Sequence, residues 1–118
     1  AEELAEQFQD MGIPVYGTGL AQPGHQYDVI INAISAGLHG DMPALPDDLL
    51  AERGVCYDMV YGDEPTPFLR WAETRGAAAS ADGLGMLVEQ AAESFYGWHN
   101  WRPKTAPVIE ALRRGELD

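Results

Sequence analysis

The 118-residue sequence holds one cysteine, one lysine and little positive charge of any kind. Seven basic residues face nineteen acidic ones, for a formal net charge of -12. The lone Cys56 excludes an internal disulfide and a cysteine-based zinc site, and it fits a reducing, cytoplasmic setting. The shortage of Lys and Arg argues against nucleic acid and anionic membranes, whose affinity comes from neutralised phosphate. No apolar run approaches the roughly 20 residues of a membrane span, and no stretch has the form of a signal peptide. His25, His39 and His99 are scattered without metal-ligand spacing, so no metal site is expected. A starting methionine is missing as well. The chain opens at Ala1, already inside a helical pattern, which gives the expectation of a piece of something longer.

What is present belongs to a globular domain. Hydrophobic residues make up 46% of the chain and charged residues 22%, ordinary proportions for a soluble protein with one core. Leu4, Phe8 and Met11 recur at helical spacing and predict a helix over residues 1–11, stopped by Gly12. Ile13–Tyr16 is a short strand candidate. Val29-Ile30-Ile31 within Tyr27–Asn32 is a continuous apolar run, as in a parallel strand covered on both faces. A Gly- and Pro-rich loop follows, then an expected short helix at Asp47–Arg53 closed by Gly54, and a strand at Val55–Tyr61. Thr66-Pro67 is a strong helix start, and that helix ends at Gly76. Ala77–Ser80 is a further strand candidate. Asp82 caps the longest helix, with Leu84, Leu87/Val88, Ala91/Ala92, Phe95 and Trp98 on its apolar face. A last helix runs from about Thr105 to Arg114. Strands alternating with helices imply an α/β fold with a mainly parallel sheet.

Several local patterns are chemically suggestive. Gly83-Leu84-Gly85, between a strand and a helix, would let a ligand approach the backbone and the helix N-terminus. It serves equally as a tight strand-to-helix turn, and Val88 stands where a dinucleotide fingerprint has its third glycine. Gly17-Thr18-Gly19 leads into Pro23 and Gly24, not into a helix, and reads as a loop. Ala33-Ile34-Ser35-Ala36-Gly37 imitates a nucleophile elbow but lacks its first glycine and its following helix. Asp58, Met59 and Tyr61 close a strand, where open α/β sheets place ligands; packing on a neighbouring helix explains Met59 and Tyr61 equally well. Cys56, mid-strand, reads as a small buried hydrophobe. Glu89 and Glu93, four apart, read as a solvated helix face, and Trp98 and Trp101 as packing or a covered interface.

Three blocks carry a more specific signal: YDVIINAISAGLHGD from Tyr27, VCYDMVYGDEPTPFL from Val55 and DGLGMLVEQAAESF from Asp82. In this order and at these intervals the chain resembles the C-terminal half of the shikimate dehydrogenases. The resemblance covers essentially the whole chain. It implies reduction of 3-dehydroshikimate to shikimate with NADPH, in aromatic amino-acid biosynthesis. It also implies an incomplete Rossmann-like parallel sheet flanked by helices, with residues 1–118 forming a partial NADP-binding domain plus C-terminal helices and the N-terminal substrate domain absent. At matching positions, Met59 and Gly83 would lie against the nicotinamide, Met86 near its pocket, and Ser35 near the cofactor phosphates or ribose. Tyr61 and Gln90 would face shikimate.

Two departures stand out. Ile34 occupies a position where the family commonly has threonine, and it offers no hydroxyl to a cofactor. The family's proton-shuttling lysine and aspartate belong to the N-terminal domain, so no catalytic residue is assigned here; Lys104, in the tail, is no substitute. The chain alone is therefore expected neither to turn over shikimate nor to hold NADP tightly. Without the first strands of a 3-2-1-4-5-6 sheet, Ile13–Tyr16 would be separated and an edge exposed, which predicts a homo-oligomer. A stand-alone non-catalytic binding or regulatory module and a quinate/shikimate dehydrogenase with NAD preference are the alternative readings.

Overall fold

The computed structural model describes residues 1–35 and 40–116. Three parallel strands form one sheet in the order β1-β2-β3: β1 is Tyr27–Asn32, β2 is Leu50–Asp58 and β3 is Ala79–Ala81. Four helices accompany them: α1 at Glu2–Glu6, α2 at Pro67–Thr74, α3 at Leu84–His99 and α4 at Ala106–Arg113. This is the expected α/β class, an incomplete Rossmann-like sheet flanked by helices.

The core lies between the sheet and α2. Cys56 from β2 meets Phe68 and Ala72 from α2, and Ile30, Leu45, Leu50 and Leu69 close around them. Burial pushes the Cys56 thiol above its ordinary pKa, in keeping with a small core hydrophobe. The start of α2 follows the sequence reading. Thr66 accepts a hydrogen bond from the Leu69 N–H at 3.3 Å, and Pro67 stands in the first turn.

Other expectations are revised. The predicted helix over residues 1–11 stops at Glu6 and resumes only as a 3-10 turn at Gln9–Met11. Leu4, Phe8 and Met11 remain exposed, so no packing supports a longer helix, and short helices without packing are marginal. Ile13–Tyr16 is not a strand.

The short helix at Asp47–Arg53 is replaced by a turn and the first half of β2. The carbonyls of Asp48 and Leu49 accept from the N–H groups of Gln26 and Tyr27 at 2.9 and 2.8 Å, drawing this segment into the sheet. Gly54 then acts inside the strand, not as a helix stop. Tyr27 pairs with Leu50 but Val29 with Val55, so the extra residues bulge out of register. Arg53 takes a left-handed φ of 64° within this bulge. At its other end β2 stops at Asp58, short of the expected Tyr61, and β3 begins two residues later than expected.

The sheet is covered on one face where the sequence predicted two. Ile30 points to the core, whereas Val29 and Ile31 are 56% and 61% exposed. On α3 the buried stripe is Leu84, Val88 and Ala92, while Leu87 and Trp98 face outward. Along β1, Tyr27, Val29, Ile31, Pro43 and Leu49 help to line an apolar trough of about 290 Å³.

Candidate functional site

The carboxyl ends of β1 and β2 are tied together by one carboxylate. Asp58, the last residue of β2, has no solvent-accessible surface. It accepts from Asn32 Nδ2 at 3.1 Å, from the Val60 N–H at 3.0 Å and from Thr66 Oγ1 at 2.5 Å. A buried carboxylate is tolerable only when its lone pairs are met in this way, and no buried side-chain polar atom among the described residues lacks a partner. Three segments are thereby fixed at one point: the end of β1, the turn after β2 and the start of α2.

The turn after β2 forms the floor of the site. The Met59 N–H donates to the Asn32 carbonyl at 2.9 Å, and the Gly83 N–H donates to the Val60 carbonyl at 3.2 Å. Gly83 is the residue before α3 and has an ordinary φ of -75°. Its lack of a side chain is demanded by space: a Cβ here would collide with the Met59 carbonyl group. The backbone of Gly83 therefore lies directly on that of Met59.

Above this contact is an open depression of about 500 Å³ lined by Ala33, Ile34, Ser35, Met59, Val60 and Tyr61. Three of the six residues singled out from the sequence, Ser35, Met59 and Tyr61, thus share one surface, and Gly83 supports it through Met59. Met86 and Gln90 do not line the depression. They are exposed on α3, three and seven residues after Gly83, on one helical face. Ile34 is part of the lining, so the position without a hydroxyl is an apolar wall. The segment 36–39, which includes the end of the elbow-like stretch and His39, lies outside the described residues. No group of three or more metal-ligating side chains is found among the described residues.

Electrostatic clasps hold α3 at its start and along its middle. At its start, Gly83 occupies the N-cap position where the sequence expected Asp82; Asp82, one residue earlier, accepts through Oδ1 from the Leu84 N–H at 3.1 Å. Arg113 of α4 grips both carboxylate oxygens. Partial burial pushes the Asp82 carboxyl up, but the hydrogen bonds from Arg113 and Leu84 and the Arg113 charge outweigh it, leaving its pKa below the ordinary value. Further along, Arg102 bridges Glu89, at 2.8 Å, and Glu93. The two glutamates are exposed, as the expected solvated face, and share Arg102 at the surface. Trp101 meets Phe95 edge-on at 5.7 Å between centroids.

Sequence reasoning placed Asp58 at the strand end but missed its role as a buried hub. The available signal was an acidic residue closing an apolar strand and followed eight positions later by a helix-capping threonine. Arg113 was missed altogether, because nothing local connects it to a residue 31 positions away.

Comparisons with known proteins find similarity to shikimate dehydrogenases. The model of the family described as Shikimate 5'-dehydrogenase C-terminal domain matches residues 83–113. The shikimate dehydrogenase (NADP(+)) of Alcanivorax borkumensis is 71% identical over 114 residues, which are 96% of this chain and 41% of that protein. The shikimate dehydrogenase (NADP(+)) of Alkalilimnicola ehrlichii is 59% identical over 96% of this chain and 42% of its own length. Among solved structures, the shikimate 5-dehydrogenase of Thermus thermophilus in complex with NADP(H) and shikimate superposes with a TM-score of 0.64. It is 35% identical, over 74% of this chain and 33% of that one. The chain thus spans about two-fifths of the length of the curated relatives it matches.

The Gly83–Met59 contact predicts a sharp contrast between neighbouring glycines. Gly83→Ala must displace the Met59 backbone and should destabilise the chain by about 1–3 kcal/mol. Gly85→Ala, whose Cβ would meet nothing within 4 Å, should be neutral or slightly stabilising, by up to about 1 kcal/mol; urea unfolding of both variants checks this. The lowered Asp82 pKa makes a second prediction. Its contribution is complete above the unfolded value, near 3.8, and is lost as pH falls through the lower folded value. Acid titration of Asp82→Asn should show a shallower loss of stability below about pH 4 than the parent chain.

Proposed function

We propose that this chain, which belongs to the shikimate dehydrogenase family as a C-terminal region of it, forms the nicotinamide side of an NADP-dependent shikimate dehydrogenase. The reaction is the reduction of 3-dehydroshikimate to shikimate. The observation that carries this reading is the meeting of Ser35, Met59 and Tyr61 on one surface, built on the backbone contact between Met59 and Gly83.

The residues present suit the nicotinamide end of a dinucleotide. The depression is open and largely apolar, and the close approach of Gly83 to the Met59 carbonyl fixes the backbone of one of its lining residues. In this reading Met59 and Gly83 lie against the nicotinamide, Met86 flanks its pocket, and Ser35 donates its hydroxyl to the ribose or phosphates. The bound cofactor supplies the hydride. Tyr61 orients the substrate from the floor, and Gln90 hydrogen-bonds its hydroxyls from α3. Residues 1–118 act as a partial NADP-binding domain with its C-terminal helices. The proton-transferring lysine and aspartate would come from another part of the enzyme. With no cation lining the depression among the described residues and a net charge of -12, the chain by itself holds an anionic dinucleotide weakly.

The edge of β1 bears on assembly. Exposed Val29 and Ile31 stand beside the apolar trough, and an uncovered strand edge next to apolar surface invites pairing. In this reading the isolated chain forms a dimer or higher oligomer through that edge.

Two measurements test these readings. Purified chain should give no shikimate-dependent NADP+ reduction, whereas the polypeptide from the full open reading frame around it should give robust turnover; Gln90→Ala should lower its kcat/KM by about 10–100-fold. A full-frame product without shikimate-dependent activity would overturn the enzymatic reading. For the assembly, light scattering should show a species larger than a monomer at moderate concentration, shifted toward monomer by Val29→Lys; a monomer throughout would refute it.

A further inference from the structure

We infer that Arg113 is a positioning residue of the proposed site, acting through Asp82 to fix Gly83 against the Met59 carbonyl. The inference rests on the nicotinamide-side reading for its functional meaning, and on geometry for its substance.

Arg113 is the last residue of α4 and is not among the residues that line the depression. Its Nη1 donates to Asp82 Oδ2 at 2.7 Å, and its Nη2 donates to Oδ1. A two-pronged guanidinium–carboxylate contact fixes orientation as well as distance. The Asp82 side chain is only 9% exposed, although that of Arg113 is 46% exposed, so the more constrained partner is the one beside the site. Asp82 Oδ1 is also held by the Leu84 N–H at 3.1 Å. With both oxygens engaged, the carboxylate cannot turn without breaking the pair or the bond from Leu84.

The next residue transmits that restraint. Gly83 follows Asp82 directly, donates to the Val60 carbonyl at 3.2 Å and leaves no room for even a methyl group above Met59. A shift of the Asp82 backbone therefore reaches Met59 and Val60, which line the depression.

Charge reinforces the arrangement. Arg113 is the one cation among the described residues lining a groove that also carries Asp63, Glu64, Glu73 and Asp82. Without it, Asp82 would face three other carboxylates across that groove. The neighbouring Arg114 is not a ready substitute, since it is engaged by Glu110 and Glu116. The C-terminal helix thus acts as a brace whose far end sets the geometry of a surface it does not line.

The test uses the 118-residue chain and four variants: Arg113→Gln, Arg113→Lys, Asp82→Asn and the double variant Asp82→Asn/Arg113→Gln. Amide NMR spectra and hydrogen exchange are recorded for each. In Arg113→Gln and Asp82→Asn, the Gly83 and Val60 resonances should shift. Exchange of the Leu87 N–H, which donates to the Gly83 carbonyl, should accelerate on the order of tenfold. The Ile30 and Cys56 amides should hold their protection. Arg113→Lys should restore most of the parent spectrum, and the double variant should be no worse than either single one, the mark of a shared interaction.

Unmoved Gly83 and Val60 signals, with changes confined to Ala106–Arg113, would overturn the inference, because the pair would then only anchor α4. Uniform loss of protection that includes Cys56 would also overturn it. In the active full-frame polypeptide, Arg113→Gln should lower kcat on the order of tenfold while the shikimate KM stays within about twofold. An equal rise in KM with kcat intact would count against positioning of the reacting groups. Failure of the parent polypeptide to oxidise shikimate would remove the enzymatic reading and leave the NMR result on Gly83 standing.

Discussion

The Asp58 carboxylate is the constraint on which the rest of the site depends. It sits where two strands end and a helix begins, fully removed from water, and takes one donor from each of three segments. A charge in that position has no cheap alternative. If any donor leaves, the remaining interactions must carry an undersolvated carboxylate, which costs several kcal/mol. The β1 terminus, the Met59–Tyr61 turn and the α2 cap consequently stand or fall together. Thr66 shows the economy of the arrangement: one hydroxyl donates to Asp58 and accepts from the Leu69 N–H.

From that hub the site grows outward by backbone contact. Met59 hydrogen-bonds to Asn32, Val60 accepts from Gly83, and Gly83 rests on the Met59 carbonyl. Side chains contribute at the surface, where Ser35, Ile34 and Tyr61 give the depression its character. The clasps on α3, Arg113 to Asp82 at its start and Arg102 to Glu89 and Glu93 along its middle, then fix how that helix presents Met86 and Gln90.

Much of this was legible in the sequence, for reasons that differ by element. Thr66-Pro67 encodes a helix start through a hydroxyl and a fixed φ, both local properties, and the structure places α2 accordingly. The long α3 is local in the same sense, and Asp82 does bond its first turn, although from one residue before the N-cap, which is Gly83. Asp47–Arg53 misled because Gly54 has the form of a helix stop. Pairing with Tyr27 overrode it, and the glycine went to a bulge. The apolar run Val29-Ile30-Ile31 forecast a strand correctly but overstated its cover, since a run of residues cannot report what lies on each face of the sheet. The association of Asp82 with Arg113 is invisible in one dimension. So is the reason for Gly83, whose φ is unremarkable and whose necessity appears only once Met59 is seen above it. The blocks around Tyr27, Val55 and Asp82 pointed to proteins to which this chain is visibly similar, because whole motifs carry such non-local relations implicitly.

The single cysteine has a use of its own. Cys56 lies at the centre of the three-stranded sheet, packed on Phe68 and Ala72, and burial disfavours its thiolate. Only the thiolate reacts readily with alkylating agents, and with one sulfhydryl in the chain any labelling is unambiguous. Reagent reaches that sulfur when the packing around it opens, whether β2 and α2 part or the loop residues Met42 and Leu45 that cover the same cluster move. The chain thus carries a built-in clock for openings of the packing around its core.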